Sequence, residues 1–127
     1  MTPALYSERV VELFRALPGA GAPGSGPGRL AVGEAGSPAR GAWVRFEARV
    51  DSGRIVDCGF RAWGCPHTLA AAAVARTWML ASQEGGSPQC EAARLARELD
   101  VPAAKMGRML VVEDAGKALL AEAARVQ

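Results

Sequence analysis

The chain has 127 residues, a formal net charge of +2 at neutral pH and a hydrophobic fraction of 50%. These values suit a folded protein and exclude a disordered one, so we expect a single domain over residues 1–127. The basic residues are dispersed and the aromatic residues are few, which argues against a nucleic-acid partner. No apolar run reaches transmembrane length, and three cysteines do not suggest a disulfide framework. We therefore expect a cytoplasmic protein with reduced thiols and no membrane partner.

Hydrophobic spacing along the chain predicts one helix, then three strands, then three helices. The glycine- and proline-rich segment 18–28 has the composition of a linker and is predicted to be a mobile loop. Because the strands are consecutive and apolar on one face, the predicted fold class is α+β: a three-stranded antiparallel sheet with helices packed on one face. The predicted elements are a helix over Tyr6–Leu17, strands over Arg29–Gly36, Trp43–Val50 and Arg54–Trp63, and helices over Pro66–Gln83, Ser87–Leu99 and Ala103–Val126.

The junction between the third strand and the helix after it carries a thiol. Gly64 allows a sharp turn and Pro66 suits the first position of a helix, so Cys65 is predicted to lie at the helix N-cap. Unpaired backbone N–H groups and the positive end of the helix dipole lower the pKa of a thiol placed there. Cys65 is therefore a candidate nucleophile or metal ligand. The alternative is that Cys65 is one small buried residue among several.

Five short segments carry a resemblance that covers nearly the whole chain. They are YSERV at 6–10, GSPARG at 36–41, WGC at 63–65, VPAAK at 101–105 and EDAGKA at 113–118. Together and in this order they resemble the IscU/NifU N-terminal family of iron–sulfur cluster assembly scaffolds. The resemblance implies the same α+β fold. It also implies a role in iron–sulfur metabolism.

The resemblance further implies a binding site that this chain has largely lost. Family members hold an iron–sulfur cluster or a zinc ion with three cysteines plus a histidine or aspartate. The first cysteine falls at Arg40, the second at Cys65, and the last His-Cys pair at Gly107 and Arg108. Only Cys65 is retained as a ligand, with His67 as a second candidate, so we expect no cluster or zinc ion to be held stably by the monomer.

The other two cysteines are predicted to lie apart from this site. Cys58 is on the apolar face of its strand, so a core position is expected. Cys90 is expected on a helix face, far from the loops that would hold the cluster.

Two functions of different class follow. The first is a divergent scaffold-like protein, not an enzyme, with an accessory or binding role and a degenerate cluster site. Its partners would be a cysteine desulfurase or a chaperone of the iron–sulfur pathway, and a homo-oligomer is left open. The residues expected to face a partner are Tyr6, Val101, Pro102 and Lys105.

The second function is a repurposed site, in which Cys65 is an activated thiol flanked by Arg40 and Arg108, with His67 as a base. Such a site would bind an anion or act as a small thiol enzyme. A third alternative is a stable domain that has no chemistry at this position.

Overall fold

The computed structural model describes residues 6–81 and 90–126, and this part of the chain forms three strands, four helices and two 3₁₀ turns. None of these helices is long and apolar enough to cross a bilayer. The strands are β1 (Arg29–Ser37), β2 (Ala42–Asp51) and β3 (Arg54–Trp63); the helices are α1 (Glu8–Ala16), α2 (Pro66–Ala81), α3 (Ala92–Leu99) and α4 (Met106–Arg125); the 3₁₀ turns are Pro38–Arg40 and Ala103–Lys105.

The three strands form one antiparallel sheet in the order β1-β2-β3. A two-residue turn joins β2 to β3, and both of its residues, Ser52 and Gly53, have positive φ angles of 54° and 77°. This conformation matches the twist of paired strands and fixes their register. In that register Phe46 of β2 lies opposite Phe60 of β3. Both rings are buried.

A β-bulge at the start of β3 shifts the alternation that the sequence predicts. The register changes between Arg49 and Val50, so that Ile55 is buried at 6% exposure while Val56 is 46% exposed. Val56 therefore does not share the apolar face with Cys58, although strict alternation along the strand would place both residues there. A bulge inserts one residue into one strand and so exchanges the two faces beyond it. The Asp57 carboxylate accepts the Cys58 N–H at 2.8 Å at this point.

Helices α2 and α4 pack on the apolar face of the sheet, which confirms the predicted α+β class with a three-stranded antiparallel sheet. Helix α2 is central and its alanines are buried on almost every side, as its sequence predicts. Helix α4 approaches β1 so closely that a Cβ atom on Gly33 would collide with the backbone of Leu119. Small residues on both sides of this contact therefore set the distance between helix and sheet.

The helix ends differ in detail from the prediction. Helix α1 begins after Ser7, whose hydroxyl accepts the Val10 N–H at 3.2 Å as an N-cap. Its Phe14, which helical spacing places near the buried Val10 and Leu13, is 42% exposed. The last helix is preceded by a separate 3₁₀ turn at Ala103–Lys105. The predicted end of α2 at Gln83 and the predicted helix start at Ser87 lie outside the described residues.

The segment 18–28 lies along the outer edge of β3 and is bonded to it. Phe60 donates its N–H to the Gly19 carbonyl at 3.1 Å, and Gly21 donates to the Phe60 carbonyl at 2.8 Å. Further along, Gly24 donates to the Asp57 carboxylate at 2.6 Å. The prediction of a mobile loop did not include these bonds, because they join residues more than 30 positions apart in sequence.

Candidate functional site

Three segments that are distant in sequence meet at one end of the sheet. They are the junction of β3 and α2 at Cys65, the turn that ends at Gly41, and the start of α4 at Lys105 and Arg108. The Arg108 Nη2 atom is 4.0 Å from the position that a Cβ atom on Gly41 would occupy. Tyr6 adjoins the group from the start of the described chain. The resulting cluster combines a thiol, an imidazole and several cationic groups.

Cys65 lies at the N-cap of α2, and its carbonyl accepts the N–H groups of Thr68 and Leu69 at 2.9 and 3.3 Å. Its sulfur is partly exposed and lies 3.8 Å from the Thr68 hydroxyl. Burial by itself raises the pKa of the thiol. Hydrogen bonds from the backbone and hydroxyl of Thr68, a backbone bond from His67 and the positive charge of Lys105 outweigh burial, so the pKa of Cys65 is lowered.

His67 is fully buried in the first turn of α2. Its ring packs on Tyr6 with 4.7 Å between ring centroids. The Lys105 Nζ atom lies 5.1 Å from the centroid of the Tyr6 ring. Burial lowers the pKa of His67, and the charges of Lys105 and Arg108 lower it further. The imidazole is therefore neutral at neutral pH, and neither ring nitrogen has a hydrogen-bond partner among residues 6–81 and 90–126.

The two arginines predicted to flank Cys65 occupy different positions. Arg108, in the first turn of α4, is half-buried, and its Nε atom is buried with no partner in the described part of the chain. Arg40 is exposed at the end of the 3₁₀ turn. The charge of Lys105 lowers the pKa of the thiol, whereas the charge of Arg108 acts on the pKa of His67. Gly107, between Lys105 and Arg108, is exposed and open to solvent.

The other two cysteines are buried in the core. Cys58 faces the helices from β3 and is 1% exposed, and burial raises the pKa of its thiol to about 12. Cys90 is 4% exposed and packs against Gly116 of α4, with its sulfur 2.9 Å from the position of a Cβ atom there. Cys90 is thus a core residue and does not lie on an open helix face. Burial raises its pKa to about 11.

These side chains do not fit a metal ion or a cluster. A zinc ion or an iron–sulfur cluster needs about four donors of cysteine, histidine or carboxylate type. No group of three such side chains is close enough to hold a metal within the described ranges. The charge of Lys105 acts on Cys65, and the charges of Lys105 and Arg108 act on His67; positive charges at this end of the sheet repel a metal cation.

Thr68 belongs to this site, although the residues predicted from the sequence do not include it. Thr68 is fully buried, its hydroxyl is the one side-chain partner of the Cys65 sulfur seen here, and it lies three residues after the N-cap. The signal was present in the sequence, because the third residue after an N-cap is the usual partner of the capping side chain. Lys105, which the sequence predicts only to face a partner, also lowers the pKa of the Cys65 thiol through its charge.

Comparison with known proteins identifies similar sequences along nearly the whole chain. The model of the NifU-like N-terminal domain matches residues 5–125. The iron–sulfur cluster assembly enzyme IscU of Drosophila melanogaster is 31% identical over 120 residues, which cover 94% of this chain and 78% of that protein. The iron–sulfur cluster assembly scaffold protein IscU of Haemophilus influenzae is 26% identical over 118 residues, covering 92% of this chain and 94% of that protein.

A solved structure shares the fold. The crystal structure of a putative iron–sulfur cluster assembly scaffold protein for the SUF system from Fervidobacterium islandicum AW-1 matches with a TM-score of 0.65. The match covers 91% of this chain and 96% of that one at 16% sequence identity, and so concerns the fold alone.

Proposed function

This chain belongs to the family of NifU-like N-terminal domains, and on that premise we propose that it is a divergent iron–sulfur cluster assembly scaffold-like protein with an accessory or binding role. Its own cluster site is degenerate. One observation carries this proposal: the positive charges at this end of the sheet include Lys105, which acts on the Cys65 thiol, and Arg108, which acts on His67, where a cluster would need further donors.

Charge and donor count both act against a cluster held by one copy of this chain. A single thiolate leaves most of the coordination positions of iron unfilled. His67 does not supply a second donor without rearrangement, because its ring is fully buried against Tyr6. Iron and sulfide would thus be cargo that the chain meets on another protein or shares with one.

Anaerobic reconstitution with iron and sulfide tests the degenerate site. We expect the wild-type protein, after desalting, to retain neither visible cluster absorption nor stoichiometric iron. The matched variant is Arg40→Cys/Arg108→Cys, which places a thiol on each of the two segments that meet the Cys65 junction. This variant should gain both the visible cluster absorption and the bound iron. A wild-type cluster that disappears in Cys65→Ala would contradict the proposal. Failure of the double variant to gain a cluster would contradict the proposal that these three segments can hold a cluster together.

The partner-facing surface is proposed to include Tyr6, Val101, Pro102 and Lys105. Its support is that the start of the chain and the segment before α4 adjoin: the Ser7 hydroxyl donates to the Leu99 carbonyl at 3.1 Å, and Lys105 lies over the Tyr6 ring. Pro102 is exposed and Val101 half-buried. A cavity of about 360 Å³ opens beside Tyr6 along α1 and is lined by Tyr6, Glu8, Val11, Glu12 and Arg15.

A cysteine desulfurase and a chaperone of the iron–sulfur pathway are the proposed partners. Titration calorimetry with each of them should show weaker binding for Pro102→Ala and Lys105→Ala than for the wild type. Arg29→Gln, at the opposite end of the sheet, is the matched control and should bind as the wild type does. Equal affinity of all these proteins would contradict the proposed surface.

The lowered pKa of Cys65 favours a second candidate function, an activated thiol at a repurposed site. The thiolate is the reactive form of cysteine, and this one is partly exposed beside a cation. The rate of Cys65 alkylation against pH measures its pKa. A value at or above that of a free thiol would contradict this candidate. A lowered value that returns toward the free one in Thr68→Val, but not in Thr68→Ser, would support it.

A further inference from the structure

The cations Lys105, Arg40 and Arg108 at this end of the sheet have no acidic partners in the part of the chain that the structure describes. Lys105 contacts the Tyr6 ring, and neither Arg40 nor Arg108 forms an ion pair there. Other arginines of the fold do form ion pairs with carboxylates. Arg45 binds Glu34 at 3.2 Å, for example, and Arg76 lies 3.9 Å from Asp57. Within residues 6–81 and 90–126, no carboxylate therefore pairs with the positive charges at this end of the sheet.

Two side chains at this end of the sheet, Arg108 and His67, have buried nitrogen atoms without a hydrogen-bond partner among the described residues. The Arg108 Nε–H is removed from solvent and bonds to no described residue. His67 is fully buried beside the charges of Lys105 and Arg108, and both of its ring nitrogens are unpartnered. A buried donor without a partner costs about 1–3 kcal/mol, so such groups are rare and usually have a partner that is not part of the fold. For a guanidinium N–H that partner is an acceptor, and it is best served by an anion.

The backbone adds to the same field. Cys65 stands at the N-terminus of α2, a helix of 16 residues, and Lys105 stands at the N-terminus of α4, a helix of 20 residues. Each helix start carries a partial positive charge and N–H groups without intrahelical partners. The N-terminal ends of two helices, the half-buried guanidinium of Arg108 and the ammonium group of Lys105 thus all contribute positive potential at this end of the sheet.

We propose that Lys105 and Arg108, with Arg40 at the rim, form a binding site for a small tetrahedral oxyanion of the sulfate or phosphate type next to Cys65. The planar guanidinium of Arg108 binds two oxygens of such an ion, and Lys105 binds a third from another direction. A tetrahedral ion offers acceptors in all these directions, whereas a planar carboxylate offers two. This inference deepens the proposed function, because it requires the site to have lost its metal donors.

Binding of the oxyanion and ionisation of Cys65 are coupled. A bound dianion near the sulfur opposes formation of the thiolate, and so it slows alkylation by a neutral reagent at a fixed pH. The same coupling means that a free thiolate weakens binding of the oxyanion. The rate of Cys65 alkylation therefore reports on binding of the oxyanion, and a cluster of cations with only a structural role would not change that rate.

The test titrates inorganic phosphate, and separately sulfate, against metal-free protein at constant ionic strength set with sodium chloride. We expect a saturable rise in melting temperature and a saturable fall in the Cys65 alkylation rate by iodoacetamide, with the same apparent Kd. Arg108→Gln should weaken that Kd about tenfold or more, the factor that loss of a charge-assisted hydrogen bond produces. Arg108→Lys should restore part of the affinity.

Arg29→Gln is the matched control, because it removes one exposed cation at the far end of β1 and should leave the Kd unchanged. If Arg108→Gln does not fold, Lys105→Gln takes its place. Absence of any effect beyond that of chloride would overturn the proposal, as would equal losses in Arg108→Gln and Arg29→Gln. Because no iron is present, failure here is distinct from failure of the reconstitution experiment.

Discussion

Cys58, Cys65 and Cys90 carry the same thiol in three different surroundings. Cys58 and Cys90 lie in the core, where burial raises their pKa values to about 12 and about 11. Cys65 is partly exposed at a helix start, and its hydrogen bonds and the charge of Lys105 lower its pKa. Reactivity of a cysteine follows thiolate content and access together, and both favour Cys65.

Limited alkylation of the native protein should accordingly modify Cys65 alone. At pH 8, with iodoacetamide in excess, peptide mapping by mass spectrometry should find Cys65 labelled and the two core cysteines protected. Denaturant added before the reagent should expose all three. Labelling of native Cys58 or Cys90 at a rate close to that of Cys65 would show that the core opens readily or that the assigned burial is wrong.

The sequence predicts the position of Cys65 because the signals for it are local. Gly64 and Pro66 flank it and define the turn and the helix start. The burial of His67 depends on Tyr6, which is 61 residues away and contacts it only in the folded chain. Helical periodicity does not contain that contact, so the sequence alone does not predict that His67 is buried.

Helix α3 illustrates support of one element by another. Its N-cap residue Glu91 makes no side-chain cap bond, and the Ala92 N–H is accepted instead by the Glu113 carboxylate of α4 at 3.0 Å. Glu113 also lies 3.7 Å from Lys117 one turn later on α4. The bond to Ala92 is partly buried, while the Lys117 side chain is 70% exposed.

Glu113→Ala should lower the free energy of unfolding by about 1 kcal/mol, the typical cost of losing a helix cap. Glu113→Gln keeps an acceptor at the same reach and should lose less. Lys117→Ala removes only the exposed ion pair and should stay within about 0.5 kcal/mol of the wild type. Urea unfolding of the three variants measures the differences. An equal effect of Glu113→Ala and Lys117→Ala would rule out the capping role.

At the level of elements, the order of strands and helices follows from periodicity, but two features do not. The bulge at Val56 arises in the pairing of β3 with β2, and neither strand encodes it alone. The cap of α3 comes from a helix that follows it in the chain, so no local start signal marks Ala92. Both features depend on contacts between elements.

The whole molecule should lose stability on mild acidification because of His67. Burial, with the charges of Lys105 and Arg108, holds the pKa of His67 below its ordinary value near 6.5. Below that pH the unfolded chain binds a proton that the folded chain does not bind. His67 therefore does not reduce the free energy of unfolding above pH 6.5. It reduces that free energy progressively as the pH drops from 6.5 toward the folded-state pKa.

Urea unfolding at pH 7.5, 6.5 and 5.5 measures this dependence. His67→Phe keeps a ring against Tyr6 and removes the titration, so its stability should decline less over the same interval. The comparison concerns the slope with pH and does not depend on the absolute stability of the variant. Parallel declines in both proteins would assign the acid sensitivity to other groups.

The hydrogen bonds between the segment 18–28 and β3 make the two edges of the sheet different. Backbone groups of Phe60 and Cys58 on that side are already bonded within the molecule. On the other side β1 is the second edge strand, and no backbone hydrogen bond to its outer edge is seen among the described residues. If a second copy added its own β1 there, the covered part of β3 would leave the pair without a matching open edge for a third copy. Addition of strands through the sheet would then stop at two copies instead of continuing into a fibre.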